Sequence, residues 1–506
     1  MVEEWKQDQT GRMGKGLANG KEECYNKTIT AEEVHGEGQD KMMEEKREEP
    51  EKMLQEGQEK QKQMGMLMTE GVIWKQLLAF SFPLLVGNVF QQLYNTVDSV
   101  VVGNYVSSQA LAAVGTSNSL INLIIGLFLG ISTGAGVIIS QYYGARNHQK
   151  LHWAVHTCMA LSIIGGLGMI VLGVALSPLI LIWMNTPEDV LADSTTYLRI
   201  FFCGSLFNIV YNMGAGILRA VGDSKRPLYY LIISSLTNIV LDLLFVLKFH
   251  WNIAGVAYAT IISQGVSAVL VMVELLRTKE PYRVELSKIK IDFRMMKRIL
   301  IIGIPSGIQQ AIISLSNVIV QANINVYGSA AMAGFGAYSK IEGFVMLPLQ
   351  STCMAATTFT GQNIGAKEYG RVKRGMVQGM AMSALYTIIA AAVLLFFGEH
   401  ILQIFSSDKD VIAFGKETLM IIAPFYLTMT VHQIIMGTLR GAGKTMMTML
   451  IGVGNMCILR MIYINFLVPF FPSFHAVVVC YPVTWITTVA MDILYCWKAR
   501  WLPKSE

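Results

Sequence analysis

The stretch Pro83-Leu84-Leu85-Val86-Gly87-Asn88-Val89-Phe90-Gln91-Gln92-Leu93-Tyr94-Asn95-Thr96-Val97-Asp98, running on as Ser99-Val100-Val101-Val102-Gly103, decides how this chain folds. It is apolar and long enough for a bilayer-spanning helix, yet it holds a proline, several amides and one carboxylate. Apolar residues follow Asp98 before the Gly103-Asn104 break, so the aspartate lies within the span rather than in the headgroups. A charged side chain in hydrocarbon is costly and normally faces a wet cavity or a partner, which makes Asp98 a functional candidate.

Composition agrees with a membrane chain. Of 506 residues, 53% are hydrophobic and only 15% charged, unlike a soluble domain. Residues 1–70 hold 11 Lys/Arg and 17 Asp/Glu, a net −6 that leaves +11 on the remainder. This leader is rich in Glu, Lys, Gln, Gly and Met. It buries too little apolar surface to offset chain entropy, so residues 1–68 are expected to be disordered. It lacks the apolar core of a signal peptide. Met64, Met66 and Met68 fall where the charged run ends, and Met68 is the expected physiological start. The seven cysteines form no C-x-x-C pair; those in spans read as small buried residues, with no disulfide framework or metal site.

From Val72 onward twelve apolar runs alternate with short polar breaks: 73–102, 108–141, 152–183, 190–218, 228–248, 252–276, 296–325, 329–360, 374–397, 410–439, 445–470 and 474–498. Crossing a ~30 Å core takes about 20 helical residues, and lipid requires backbone groups to pair internally. The expected fold is therefore an all-α membrane protein of twelve transmembrane helices. The breaks alternate in charge. Those at 146–150, 223–226, 277–298, 367–374, 440–444 and 498–500 are basic, and the others are neutral or acidic apart from Lys248. The positive-inside rule then places both termini in the cytoplasm.

The second half repeats the first. Gln141-Tyr142-Tyr143-Gly144-Ala145-Arg146 recurs as Gln362-Asn363-Ile364-Gly365-Ala366-Lys367, an offset of 221. Gly216-Ile217-Leu218-Arg219-Ala220-Val221-Gly222 recurs as Gly437-Thr438-Leu439-Arg440-Gly441-Ala442-Gly443, and Ala110–Gly115 as Ala331–Gly336, at the same offset; Pro83 matches Pro305 within one residue. Each half holds six helices, so both copies enter the membrane in the same sense, as parallel repeats. The expected organisation is a leader (1–68), an N-terminal six-helix lobe (69–276), a basic cytoplasmic linker (277–298), a C-terminal six-helix lobe (299–500) and a short cytoplasmic tail (501–506).

Several chemistries drop out. Gly441-Ala442-Gly443-Lys444-Thr445 resembles the end of a phosphate-binding loop, but Thr438 stands where the motif needs glycine and no strand precedes it. Its copy at Gly222-Asp223-Ser224-Lys225 marks an interhelical turn, so no nucleotide is expected. The membrane part holds no hydrolase or metal-ligand motif and no nucleic-acid signature; an enzyme is not expected. Asn26-Lys27-Thr28 has the glycosylation form but lies in a leader placed in the cytoplasm.

What remains are polar residues inside spans. Asn238 and Asp242, spaced i,i+4, share a helix face, and Thr260 follows on the next helix. At ~1.5 Å per residue, Asp98, Asp242 and Thr260 all lie about 8–12 Å from the non-basic end, so one pocket can hold them. At the repeat offset, Asp98, Asn238, Asp242 and Thr260 correspond to Ile319, Leu459, Tyr463 and Tyr481. The acids are thus confined to one lobe, against a merely structural role. Two acids with an amide and a hydroxyl suit either a hard cation such as Na⁺ or protons, since burial and like charge favour proton uptake. Gln91, Gln92, Gln309, Gln310, Asn317 and Gln321 are weaker candidates for lining a cavity or joining helices. Arg199, Lys340, Glu342 and Arg460 are further intramembrane polar residues, and Asp492 is expected at the interface.

These motifs together resemble the multidrug and toxic compound extrusion (MATE) family over residues 69–500: Pro83, Tyr94-Asn95-Thr96-Val97-Asp98, the two Gln-x-x-Gly-Ala-Arg/Lys turns, Leu-Arg-Ala-x-Gly-Asp at 218–223 with its copy, and Asn238-x-x-x-Asp242. The resemblance implies a two-lobed antiporter that exports small organic, often cationic and aromatic, compounds against inward Na⁺ or H⁺ by alternating access. Asp98, Asn238, Asp242 and Thr260 resemble the cation site of the branch nearest the DNA-damage-inducible members, with Tyr94, Asn95 and Tyr197 close by. Residues 300–325 contain no acid, unlike the branch that uses a carboxylate on its seventh helix. The expected protein sits in the plasma membrane of a prokaryote among lipids, is monomeric, needs no cofactor besides its coupling ion, and hinges near Pro83 and Pro305. A flippase for lipid-linked precursors, of related architecture, is the alternative; it would need convergent Arg/Lys in its cavity.

Overall fold

The computed structural model describes residues 67–106, 108–184, 186–499 and 501–502; the leader up to residue 66, with Asn26-Lys27-Thr28 and Cys24, lies outside them. The described regular structure is helical: α1 Ile73–Tyr105, α2 Ser108–Gly144, α3 His148–Trp183, α4 Glu188–Cys203, α5 Ser205–Ala220, α6 Lys225–Leu243 and α7 Asn252–Arg277 in the first half. The second half follows as α8 Phe293–Asn325, α9 Ser329–Gly365, α10 Tyr369–Gln403, α11 Lys409–Ile422, α12 Tyr426–Gly441, α13 Thr445–Val453, α14 Arg460–Ile462, α15 Phe474–Val478 and α16 Cys480–Lys498. Polar caps start several of them: Asn147 Oδ1 accepts from the Lys150 N–H (3.1 Å) before α3, and Asp292 Oδ1 from that of Met295 (2.9 Å) before α8.

Ten helical spans among the described residues are long and apolar enough to cross a membrane, and α4–α5, bent by 48°, makes an eleventh. The twelfth expected span is α9. Its 37 residues reach about 55 Å, but Lys340, Glu342 and Gln350 leave it less apolar than its neighbours. It packs on α1 and α2 as well as α10, α11 and α12, so much of its surface meets protein rather than lipid. Elsewhere outward faces are apolar, as at Val171, Leu385 and Phe396.

The repeat is carried by the backbone as well as the side chains. Arg146 and Lys367 adopt left-handed φ of 52° and 63°, and Gly222 and Gly443 of 93° and 75°. A left-handed non-glycine residue costs roughly 1 kcal/mol, yet both lobes keep it at the same turn. The N–H groups of Ala145, Arg146 and Asn147 donate to the carbonyls of Gln141, Tyr143 and Tyr142; Ala366, Lys367 and Glu368 do the same to Gln362, Ile364 and Asn363. Both lobes also break their fourth span, at Gly204 and at Ala423–Phe425, and both loosen into a π-helical turn, at Leu244–Lys248 and Tyr463–Leu467.

At the end carrying the basic turns, the lobes close on each other. Gly130 and Gly134 of α2 face Gly303 and Gly307 of α8 so closely that a Cβ on any of them would meet backbone. Nearer the turns, Gly144 lies against the Gln362 carbonyl and Gly365 against that of Gln141. Two side-chain amides cross the same seam. Gln141 Nε2 donates to the Gly441 carbonyl (3.0 Å), and Gln362 Nε2 to the Ala220 carbonyl (3.0 Å). Gly441 and Ala220 are the last residues of α12 and α5, so each glutamine satisfies a terminal carbonyl of the opposite lobe that its own helix leaves unpaired.

Two segments brace this end. Met68 is fully buried; its N–H donates to Gln362 Oε1 (2.8 Å), and its carbonyl accepts from Asn363 Nδ2 (3.0 Å). Arg371 Nη1 donates to the Gly71 carbonyl (2.9 Å), while Arg146 reaches Glu70 at 3.3 Å. The chain between α7 and α8 lies on the first lobe: Tyr282 is buried, and the Glu285 and Asp292 N–H groups donate to His156 Nε2 (3.0 Å) and Thr157 Oγ1 (3.2 Å).

Candidate cation-binding site

Asp98 of α1, Asn238 and Asp242 of α6 and Thr260 of α7 meet inside the first lobe. All four are buried, at 8%, 0%, 0% and 3% exposure. In the amide orientation that satisfies its neighbours, Asn238 Nδ2 donates to Asp98 Oδ1 (2.9 Å) and Asp242 Oδ2 (3.1 Å), and its Oδ1 accepts from the Thr260 backbone N–H (3.3 Å). One amide therefore bridges two carboxylates on different helices. The Tyr94 phenol pairs with Asp98 and Thr260, and Tyr197 is near enough to feel the charge of both acids. Thr260 Oγ1 donates back to the Val256 carbonyl (3.0 Å), which leaves its lone pairs free to accept. Asp242 Oδ1 is buried without a donor to pair with, and the Asp98 and Asp242 carboxyls lie within hydrogen-bond reach of each other.

This donor set is rich in oxygen and short of hydrogen. Two carboxylates cannot both stay charged in an apolar interior without a positive partner, and here the amide supplies only one N–H to each. The missing partner is a proton or a small hard cation. Among the described residues no group of three or more His, Cys, Asp or Glu is placed to hold a metal ion, and two carboxylates with neutral oxygens suit a monovalent ion.

The weaker candidates divide. Gln91 lines a polar cavity of about 130 Å³ that starts at Tyr94 and runs through the lobe as far as Ser224. Gln92, Asn95 and Gln310 are exposed. On α8, Gln310, Ser314 and Asn317 are exposed at helical spacing, which at membrane depth marks a face toward water. Gln309 is instead buried, and its Oε1 accepts from Arg440 Nη2 (3.1 Å) in the second lobe. Pro83 and Pro305 lie inside continuous helices, so each span runs unbroken through its proline.

The matched place in the second lobe has the opposite polarity. Arg460 is 2% exposed, donates to Asn317 Oδ1 (2.7 Å) and Thr484 Oγ1 (3.3 Å), and sits 4.5 Å from the Tyr481 ring centroid. A fixed guanidinium thus occupies the region matched to the paired acids. Asp492 is not interfacial: it is 1% exposed, and its Oδ2 meets His432 Nδ1 at 2.6 Å. The broken span of α11 and α12 carries His432 into α16, a pairing across 60 positions that no local pattern announces.

Sequence reasoning passed over the polar residues of the cavity wall, notably Asn212, Arg219, Ser234, Ser263 and Ser267. A signal was present. Ser234, Asn238 and Asp242 follow i,i+4,i+8, and Thr260, Ser263 and Ser267 follow i,i+3,i+7, each marking one face of an otherwise apolar helix.

A family model described as MatE matches twice, over residues 83–244 and 305–466, well over half the chain and once in each lobe. The chain belongs to the MatE family. Among proteins similar to this MatE member is the probable multidrug resistance protein YpnP of Bacillus subtilis (strain 168), 31% identical over 398 residues, covering 78% of this chain and 88% of that protein. The probable multidrug resistance protein NorM of Thermotoga maritima is 27% identical over 384 residues, 75% of this chain and 82% of its own. A solved structure described as the outward-facing conformation of a multidrug resistance MATE family transporter of the MOP superfamily aligns with a TM-score of 0.80 at 21% identity, covering 85% of this chain and 96% of that one. The fold is therefore the duplicated one of MATE transporters, and this MatE protein is a multi-pass membrane transporter rather than an enzyme.

Proposed function

We propose that this MatE protein is a cation-coupled antiporter exporting small organic, often cationic, compounds, and that Asp98, Asn238, Asp242 and Thr260 take the coupling H⁺ or Na⁺. The observation that carries the reading is the single Asn238 amide bridging two buried carboxylates, with Asp242 Oδ1 left without a donor. Uptake of the cation removes the repulsion between the acids and holds α1 and α6 together as they stand here. Its release restores the repulsion, so occupancy biases the arrangement of the lobes and with it the affinity for the exported compound. Substrate meets the water-facing polar residues of α1 and α8, Gln92 and Gln310 among them. The named relatives, described as multidrug resistance proteins, support the substrate class.

The basic turns face the cytoplasm of a prokaryotic cell, with both ends of the described chain on that side. Acids on α1 and α6, with none on α8, favour the branch nearest the DNA-damage-inducible members. A lipid-precursor flippase needs basic groups converging on a central path, but Arg460 is tied to Asn317 and Thr484, and Arg440 to Gln309.

In proteoliposomes with an imposed pH or Na⁺ gradient, the parent protein should move a cationic dye up its gradient. Asp98→Asn and Asp242→Asn should each abolish this while eluting as folded protein. Undiminished gradient-driven transport in both variants would sink the assignment, and comparison of the two gradients names the ion.

A further inference from the structure

The seam between the lobes leaves the carboxylate pair without a central path to the basic end. Inside the first lobe, however, the polar cavity reaches from Tyr94, which touches Asp98 and Thr260, to Ser224 in the turn at that end. From Pro83 to Tyr94 it follows about 16 Å of α1. A volume of about 130 Å³ holds several waters, and the wall supplies the polar partners they need.

Three hydroxyls of that wall are already used as donors. Ser234 donates to the Ser263 carbonyl (2.6 Å), Ser263 to that of Thr260 (2.8 Å) and Ser267 to that of Gln264 (2.9 Å). Their lone pairs are left to accept, the side of a hydroxyl that a hydrated cation uses. One cation stands among them: Arg219 lines the cavity, and no carboxylate among the described residues forms an ion pair with it. At the mouth, Arg226 joins Asp223 (3.4 Å) and Glu274 (2.7 Å), while the Tyr211 hydroxyl donates to the Pro227 carbonyl (3.1 Å).

The repeat shows why this space is open. In the register of Pro83 with Pro305, Gly87 stands where Gln309 does, and Arg219 corresponds to Arg440. In the second lobe, Gln309 is long enough to meet Arg440 (3.1 Å) and packs on Gly452, filling the place. In the first, Gly87 has no side chain to offer, its neighbour Asn88 turns away to donate to Ser351 Oγ of α9 (3.1 Å), and Leu231 stands where Gly452 does.

We propose that this cavity is the passage through which the coupling cation travels between the carboxylate pair and the basic end, and that Arg219 is the electrostatic barrier that keeps it shut while the lobes are closed. The proposal rests on Asp98 and Asp242 being the coupling site. A half-buried guanidinium on a narrow wet path repels hydronium and Na⁺ alike, so the gradient across the membrane is not short-circuited. Movement of α5 at its Gly204 break would withdraw the barrier.

The test uses the full chain in proteoliposomes loaded with a pH dye or a Na⁺ dye, without substrate. Arg219→Gln should dissipate an imposed gradient of the coupling ion at least about tenfold faster than the parent, and adding Ser267→Leu, which fills the passage, should return the leak to the parent rate. A parental rate in Arg219→Gln, or a leak that Ser267→Leu leaves untouched, overturns the proposal. Asp98→Asn separates the two readings. If it still couples, the coupling site itself is wrong; if it does not and the Arg219 and Ser267 variants behave as parent, only the passage is wrong. Should Arg219→Gln fail to fold, Ser267→Cys carries the test. A small cationic methanethiosulfonate reagent added at the basic end during gradient-driven export, when the barrier is withdrawn, should react with it beyond the parent's native cysteines and stop export, and absence of reaction under turnover refutes the passage.

Discussion

Removing the two amides that cross the seam should open the basic end by a calculable amount. Gln141 and Gln362 each contribute one hydrogen bond to the opposite lobe, both at 3.0 Å. A bond of this kind is worth about 0.5–1.5 kcal/mol net, so the double variant Gln141→Ala/Gln362→Ala should lose about 1–3 kcal/mol of closure, a population shift of roughly 5- to 150-fold. Each single variant should move the equilibrium by about the square root of that factor. The two singles differ in another respect. Gln362 Oε1 also accepts from the Met68 N–H (2.8 Å), a bond that holds the strap before α1 rather than the seam itself. Gln362→Ala should therefore lower the thermal midpoint more than Gln141→Ala while opening the seam no further. Spin labels at the exposed Lys150 and Lys373 positions, read by pulsed dipolar spectroscopy in liposomes, report the open fraction. A double variant whose distance distribution matches the parent would refute the reasoning, because the amides would then be spectators of a seam held by the glycine contacts alone.

Two other outcomes follow from the packing. Gly144→Ala puts a methyl against the Gln362 carbonyl, and overpacking of this kind costs about 1–3 kcal/mol; the same label pair should report an opened basic end, with gradient-driven export reduced. Breaking the buried His432–Asp492 pair by Asp492→Leu alone should destabilise by about 3–5 kcal/mol, whereas His432→Leu/Asp492→Leu together should cost less, which thermal unfolding in detergent can order.

The fold was legible because the lipid phase imposes two strong rules, helix length and charge at the breaks, and because the duplication displays its own register. Matched φ values at Arg146 and Lys367 are what the shared Gln-x-x-Gly-Ala turns required. The acid cluster was legible for a related reason: a carboxylate in hydrocarbon stands out, and the i,i+4 spacing of Asn238 and Asp242 put them on one face. The rest was hidden by chemistry that looks ordinary. Serine in a membrane helix commonly bonds its own backbone, as Ser263 does, and nothing in one helix reveals that such hydroxyls from α6 and α7 line one space. Asp492 looked interfacial because it lies near a helix end; its burial depends on His432, brought in by a span broken at Ala423–Phe425. The polarity of α9 reads as a weak span until its neighbours from both lobes are known.

The crossing of Gly144 and Gly365 has the form of an isologous interface. Residue and partner exchange roles under the pseudo-twofold, as Gln141 with Gly441 and Gln362 with Ala220 do, just as in a homodimer. A fused dimer is freed from a constraint that binds a true one: each half may specialise as long as the shared surface stays self-complementary. The acids in one lobe and Arg460 in the other are that specialisation. Gly144 with Gly365 and Gln141 with Gln362 are the part of the seam that has stayed the same in both halves, each contact being made twice.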